Sequence, residues 1–116
     1  MNTINFTWVN KEWILIIQFD WEFTNENASK IFDEIKEYIR IEWKFKVIFD
    51  LAKIETINSR AAWWFARIFE YLDEFWWDLY VTNMNVFIED TFDLLWMFLF
   101  IKKSKTTDSA IVDLNS

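Results

Sequence analysis

The sequence predicts a single α/β domain: a mixed, mostly parallel five-stranded sheet flanked by about four helices, in the order β-β-α-β-α-β-α-β-α. Three observations predict it. Short apolar or β-branched runs recur at Ile4–Val9, Trp13–Phe19, Lys46–Leu51, Leu79–Thr82 and Leu99–Ile101. The first two runs are separated only by Asn10-Lys11-Glu12, a connection short enough for a hairpin. The later runs are separated by stretches with apolar residues at helical spacing. Strands joined through helices pair in parallel, by right-handed crossovers.

Ile4–Val9 reads as a first strand of modest strength. Trp13–Phe19 (WILIIQF) is almost continuously apolar, which predicts a strand covered on both faces. After a loop over Asp20–Asn25, Asn25 or Asn27 can cap a helix running to about Arg40. In it Ala28, Ile31, Phe32, Ile35, Tyr38 and Ile39 make one apolar stripe, with Lys30, Asp33, Glu34, Lys36 and Glu37 largely opposite. Lys46–Leu51 is the third strand, and Ile54–Ile57 reads as a second extended piece. Asn58-Ser59 opens a second helix to about Phe75, whose inward face is Ala62, Phe65, Ala66, Phe69 and Leu72. Leu79–Thr82 is the fourth strand. Asn83-Met84-Asn85 is a loop with a cap candidate before a helix over Val86–Leu95, with Ile88, Phe92 and Leu95 inward. Leu99-Phe100-Ile101 is expected to be the fifth strand, and Thr106 or Thr107 to cap a last helix through Leu114.

The chain of 116 residues is the length of one domain with one core, spanning 1–116. Its 53% hydrophobic and 27% charged residues are those of a globular protein. A net charge of −7 argues against nucleic acid and anionic membrane as main partners, since both need a basic surface. With no cysteine and no histidine, disulfides, thiolate or imidazole metal ligation and His acid–base chemistry are excluded. The opening residues lack the basic and apolar regions of a signal peptide, and the apolar run Leu94–Ile101 is far too short to span a membrane. The expected location is the cytoplasm. No glycine loop exists to cradle phosphate. The carboxylates Glu89, Asp90 and Asp93 have the spacing of a solvated helix face. These features predict a protein that is not an enzyme and takes no cofactor.

One compositional feature is abnormal. The chain has no Gly and no Pro but nine Trp, where ordinary usage of ~7% and ~5% would supply about eight and about six. Trp13, Trp21, Trp43, Trp76, Trp77 and Trp96 fall at strand ends, turns and helix ends, places that often need φ > 0 and favour Gly. The pattern is that of a glycine-bearing sequence with Trp written at most Gly positions. Deliberate recoding would produce it, as would a gene in which UGA encodes glycine being read as though it encoded Trp. An aromatic-rich natural or designed variant is the simpler alternative.

The stretch Lys46–Phe65 reads strand, connection, Asn58-Ser59, helix. It holds a small hydroxyl residue at a helix N-terminus, facing the entrance and not the core. Ser59 can cap the free N–H groups of the first turn. With no His to activate it, Ser59 is not expected to be a triad-type nucleophile. The other reading is a site of modification. A phosphate there would add ~−1.5 to −2 charges where the helix dipole favours them, without unfolding the helix.

Several segments together resemble the STAS domain (sulfate transporter and anti-sigma factor antagonist) in its bacterial anti-sigma factor antagonist form. Phe19-Asp20-Trp21-Glu22-Phe23 is similar to the family's Gly-Glu-Leu segment, and Val47-Ile48-Phe49-Asp50-Leu51 to its Val-hydrophobic-hydrophobic-Asp-Leu. Ile57-Asn58-Ser59-Arg60-Ala61-Ala62-Trp63 is similar to Ile-Asp-Ser-Ser-Gly-Leu-Gly. Phe75–Asn83 is similar to the Gly-Gly-x-Leu-x-Leu-x-Asn segment, and Leu94–Phe100 to a shortened Leu-Leu-x-Gly-Leu segment. In several of these a Trp falls on a family glycine. The resemblance implies a regulatory switch that binds an anti-sigma factor kinase, is phosphorylated by it at Ser59 and is restored by a metal-dependent serine phosphatase. It implies partner contacts at Asn58, Arg60, Ala61, Ala62, Glu22 and Thr24. Asn58 stands at a usual Asp and Thr24 where Asp is frequent. Arg60 can pair with a phosphate on Ser59 or be ordinary surface. The alternatives are a constitutive STAS scaffold or assembly subunit without phosphorylation, and a recoded or designed chain retaining only the fold.

Overall fold

The computed structural model describes residues 4–9, 14–19, 25–42, 46–74, 78–99 and 101–115, with side chains at 14–19, 29–37, 46–74, 78–99 and 101–115. Five strands form one sheet whose spatial order follows the sequence. β1 (Ile4–Val9) pairs antiparallel with β2 (Ile14–Phe19), from Ile4 opposite Phe19 to Val9 opposite Ile14. β2 runs parallel to β3 (Lys46–Asp50), β3 to β4 (Asp78–Thr82), and β4 to β5 (Lys102–Ser104). The helices are α1 (Asn25–Glu42), α2 (Ser59–Glu74), α3 (Val86–Leu94) and α4 (Thr107–Leu114), with a short 3-10 helix at Met97–Leu99.

Because each parallel step advances one strand in the same direction, right-handed crossovers place α1, α2 and α3 on one face. The period of two in the strands sorts the core accordingly. Leu15, Ile17, Phe19, Val47, Phe49, Leu79 and Val81 point toward the three helices. Ile14, Ile16, Ile48 and Tyr80 point the other way, where Ala110, Ile111 and Leu114 of α4 cover them. This is why WILIIQF carries almost no polar alternation. Against the larger face α2 buries Ala61, Ala62, Phe65, Ile68, Phe69 and Leu72. Phe19, Phe49, Phe65, Phe69 and Phe92 form a connected ring cluster with centroids 5.4 to 6.2 Å apart, tilted or edge-on. Each such ring is worth ~3–5 kcal/mol against truncation to alanine.

Three expectations are corrected. Ile54–Ile57 is irregular, not extended pairing structure. β3 already has a neighbour on each side, so the chain leaves the sheet at Leu51 and only Ile54 and Ile57 turn inward to the core. The fifth strand is Lys102–Ser104 rather than Leu99–Ile101. Met97 and Ile101 are buried there while Leu99 lies in the 3-10 helix and is exposed, so the apolar run packs a helix end. The true edge strand carries exposed lysines, which block further pairing. Finally, Leu95 is not inward: it is the C-cap of α3 and lies at the surface. Asn85 and Thr106 are the caps of α3 and α4, the latter in a capping box with Ser109.

Candidate functional site

The loop between β3 and α2 is pinned at its start, middle and end. At the start, Asp50 is buried at the end of β3 and accepts hydrogen bonds from four directions. Its Oδ1 accepts from the Ala52 N–H at 3.0 Å and from Asn83 Nδ2 at 2.9 Å. Its Oδ2 accepts from Thr107 Oγ1 at 3.1 Å and Gln18 Nε2 at 3.3 Å. Asn83 Nδ2 also reaches Thr107 Oγ1 at 3.3 Å, and the Thr107 and Thr82 hydroxyls are 3.0 Å apart. A buried carboxylate is tolerable only when its lone pairs are filled in this way. Asn83 adopts φ 59, a left-handed conformation that Asn tolerates, and this turns its amide onto Asp50.

In the middle, the Asn85 amide donates to the carbonyl of Glu55 at 2.9 Å, with Ile54 O at 3.4 Å. The Asn85 Oδ1 meanwhile accepts from the Ile88 N–H, capping α3. At the end, Asn58 Oδ1 accepts from the Ala61 N–H at 2.8 Å and the Asn58 carbonyl accepts from Ala62 at 2.9 Å. Asn58 is therefore the N-cap of α2, and Ser59 is its first helical residue. The expectation that Ser59 caps the helix is corrected: the longer Asn side chain, one residue earlier, reaches the third N–H. Among the described residues the Ser59 hydroxyl has no hydrogen-bond partner, and Ser59 is exposed.

Arg60 is exposed beside it. Ala61 and Ala62, expected to meet a partner, are fully buried against the sheet, because those two positions of α2 face the core. Neither side chain can touch a docking protein. The next outward residue is Trp63. Ser59, Arg60, Trp63, Trp64 and Leu95 line one open groove of about 580 Å³, mostly apolar. Arg67 stacks its guanidinium 4.9 Å from the Trp63 ring centre. Glu22 and Thr24 lie outside the described residues. Trp63 and Leu95 were not singled out by sequence as site residues: Trp63 stood only at the end of the Ile57–Trp63 motif and Leu95 on the inward side of a helix pattern, and only the packing of α2 beside α3 brings them together.

Of the three carboxylates expected on a solvated face, Asp90 and Asp93 are exposed, whereas Glu89 is half-buried and pairs with Lys103 at 2.6 Å. Among the described residues no cluster of acidic side chains could hold a metal ion, and no helix is long and apolar enough to cross a membrane.

Known proteins share this fold. No curated protein matches at the level of sequence. Solved structures do match in fold. An anti-sigma factor antagonist from Mycobacterium paratuberculosis is similar with TM-score 0.79 and 14% identity, over 98% of this chain and 96% of that one. The Bacillus cell fate determinant SpoIIAA in its phosphorylated form gives TM-score 0.71 and 12% identity, over 97% of this chain and 99% of that one. RsbS from Moorella thermoacetica gives TM-score 0.80 and 10% identity, over 97% and 94%. At these identities the likeness shows the fold. The sequence pattern of the STAS domain itself matches residues 6–110. This chain, with its sheet order, its three-helix face and its strand-to-helix junction at Asn58-Ser59, belongs to the STAS domain family.

Proposed function

We propose that this chain is a non-enzymatic regulatory switch of the anti-sigma factor antagonist kind. It binds an anti-sigma factor serine kinase through the surface around Ser59 and is controlled by phosphorylation there. A serine phosphatase reverses the modification, and both partners act in the cytoplasm. The observation that carries this reading is the division of labour at the α2 entrance. Asn58 takes the cap, so the Ser59 hydroxyl is exposed at the positive end of a 16-residue helix and has no hydrogen-bond partner among the described residues. A phosphate on that oxygen meets the favourable end of the dipole and leaves the Asn58 cap in place. The fold supports the reading through SpoIIAA, a protein that exists in unphosphorylated and phosphorylated forms. Arg60 and Asn58 are the surface residues nearest in sequence for a partner to read, and Glu22 and Thr24 are proposed to join them.

Incubation with an anti-sigma factor serine kinase, followed by phosphopeptide mapping, tests the proposal. Phosphate on Ser59 supports it; phosphate elsewhere, or none, overturns it. A second reading, a constitutive scaffold without phosphorylation, is favoured by one feature. Asn58 spends its side-chain oxygen on the helix and brings no negative charge to the kinase. If Ser59→Ala and Ser59→Asp bind the partner equally well, the scaffold reading stands.

A further inference from the structure

Large apolar side chains are exposed at eight places among the described residues, and six of them fall between Val86 and Leu99. They are Val86, Phe87, Leu94, Leu95, Trp96 and Leu99. Leu94 is 78% exposed and Leu99 73%, in a segment whose core side is already filled by Ile88, Phe92 and Met97. Scattered surface apolar residues are ordinary, but a concentration within one short helix and the turn that follows it is not. Phe87 and Leu94 are seven residues, two turns, apart and share one outward side of α3. Asp90 lies between them, with Asp93 beside it; both are exposed. On the same side, one turn before Asp93, Glu89 is engaged by Lys103, whose ammonium also feels the Asp93 carboxylate and sits 4.8 Å from the Phe98 ring. Asp90 and Asp93 are the exposed carboxylates on that side, and Asp90 is the one nearest Phe87 and Leu94. Five of the six apolar residues are Val, Phe or Leu, so the surface does not hinge on Trp96.

We infer that the α3 and 3-10 face is a docking surface for an amphipathic basic segment of another protein: an apolar ridge seated on Phe87, Leu94 and Leu99, with Lys or Arg facing Asp90 and Asp93. The charge pattern selects this occupant. A second copy of the chain would bring −7 against −7 and would supply no basic side chain in excess to meet Asp90 and Asp93. An anionic lipid surface is repelled for the same reason. Through Leu95 the face runs into the groove that Ser59 lines, so one partner can span both. The inference extends the proposed function but does not need Ser59 to be phosphorylated.

The test uses the whole chain and a synthetic helical peptide with Leu on one side and Lys on the other, beside the same peptide with Glu in place of Lys. The Lys peptide is expected to bind, with its hydrogen-exchange footprint on residues 86–99. Binding should weaken about tenfold in Leu94→Asp and severalfold in the double variant Asp90→Asn, Asp93→Asn. It should be unchanged in Val112→Asp, a control at an exposed apolar residue on α4. All of these positions are exposed, so the variants fold. Equal binding of the Glu peptide, a footprint elsewhere, a dimer abolished by Leu94→Asp, or adsorption to neutral lipid vesicles through this face would each overturn the inference. Ser59→Ala should bind the Lys peptide as the unaltered chain does. A chain that binds it but is never phosphorylated sinks the switch and leaves the docking surface standing.

Discussion

The side chain of Asn85 joins two elements that are distant in sequence: its amide donates to the Glu55 carbonyl at 2.9 Å while its oxygen caps α3 through Ile88. The loop leading to Ser59 is thus fastened to the helix that forms the exposed apolar face. The two functions of this side chain are separable. Asn85→Asp keeps the capping oxygen and loses the donor. Its amides at Ile54 and nearby should exchange faster with solvent, while the Ile88 amide stays protected. Asn85→Ala loses both bonds and should cost about 1–2 kcal/mol in urea denaturation. Unchanged exchange at residues 52–58 in Asn85→Asp would mean that the loop is held by Leu51, Ile54 and Ile57 alone.

The α2 entrance gives a second set of outcomes. Since Asn58 is the cap, Asn58→Ala should cost about 1 kcal/mol. Ser59→Ala should fall within about 0.5 kcal/mol of the unaltered chain, as for other exposed positions. Asn58→Asp keeps an acceptor oxygen and adds a negative charge at the positive end of the dipole, for a gain of about 0.5 kcal/mol. Chemical denaturation of the three variants checks all of this. A Ser59→Ala loss as large as that of Asn58→Ala would return the capping role to Ser59.

Why the sequence read the frame well and the site less well follows from which interactions are local. Leu15, Ile17 and Phe19 against Ile14 and Ile16, and the α1 and α2 stripes, are periodic patterns that any window exposes. β5 escaped because Lys102-Lys103-Ser104 belongs to an edge whose pairing is backbone only, while the apolar signal beside it belongs to a helix end. The four bonds at Asp50 come from Ala52, Asn83, Gln18 and Thr107, and three of these partners are 32 or more residues away. The Ser59 junction was legible because the cap chemistry of Asn-Ser is local. Which of the two residues caps, and the burial of Ala61 and Ala62, depend on how α2 rotates onto the sheet.

Tyr80 ties α4 to the smaller face, its hydroxyl donating to Asp113 Oδ2 at 3.5 Å. Burial pushes this phenol above its ordinary value of 10.0, and the Asp113 carboxylate pushes the same way. The folded chain therefore holds the proton more tightly than the unfolded chain. Its contribution to stability is complete below pH 10 and is lost as pH rises from 10.0 through the folded value. Alkaline denaturation should show the unaltered chain losing stability relative to Tyr80→Phe across that range. Asp113→Asn should move the phenolate absorbance titration to lower pH. A Tyr80 that titrates at its ordinary value in the folded chain would contradict the account.

Trp96 carries the compositional anomaly into the backbone. It is one of two described residues with positive φ, at 62°, and the other is Asn83. It follows the C-cap Leu95, and its N–H bonds back to the Asp93 carbonyl at 3.1 Å. That is the position at a helix end where glycine is favoured, because a Cβ there costs about 1–2 kcal/mol. Asn83 offsets such a cost by directing its amide onto Asp50, whereas the Trp96 ring is 72% exposed and has little packing to offset it. Trp8, Trp63 and Trp64 lie inside β1 and α2, where the backbone makes no such demand, and Trp13, Trp21, Trp43, Trp76 and Trp77 lie outside the described residues. Trp96→Gly should therefore raise stability by about 1 kcal/mol. Trp63→Gly, within α2, should lower it by up to about 1 kcal/mol. If the chain made in its native source reads this codon as glycine, its intact mass will be lower by the difference between an indole side chain and a hydrogen at each such site. A mass that accounts for all nine Trp, together with a Trp96→Gly variant less stable than its parent, would show that the indole is native and held by contacts stronger than the strain beneath it.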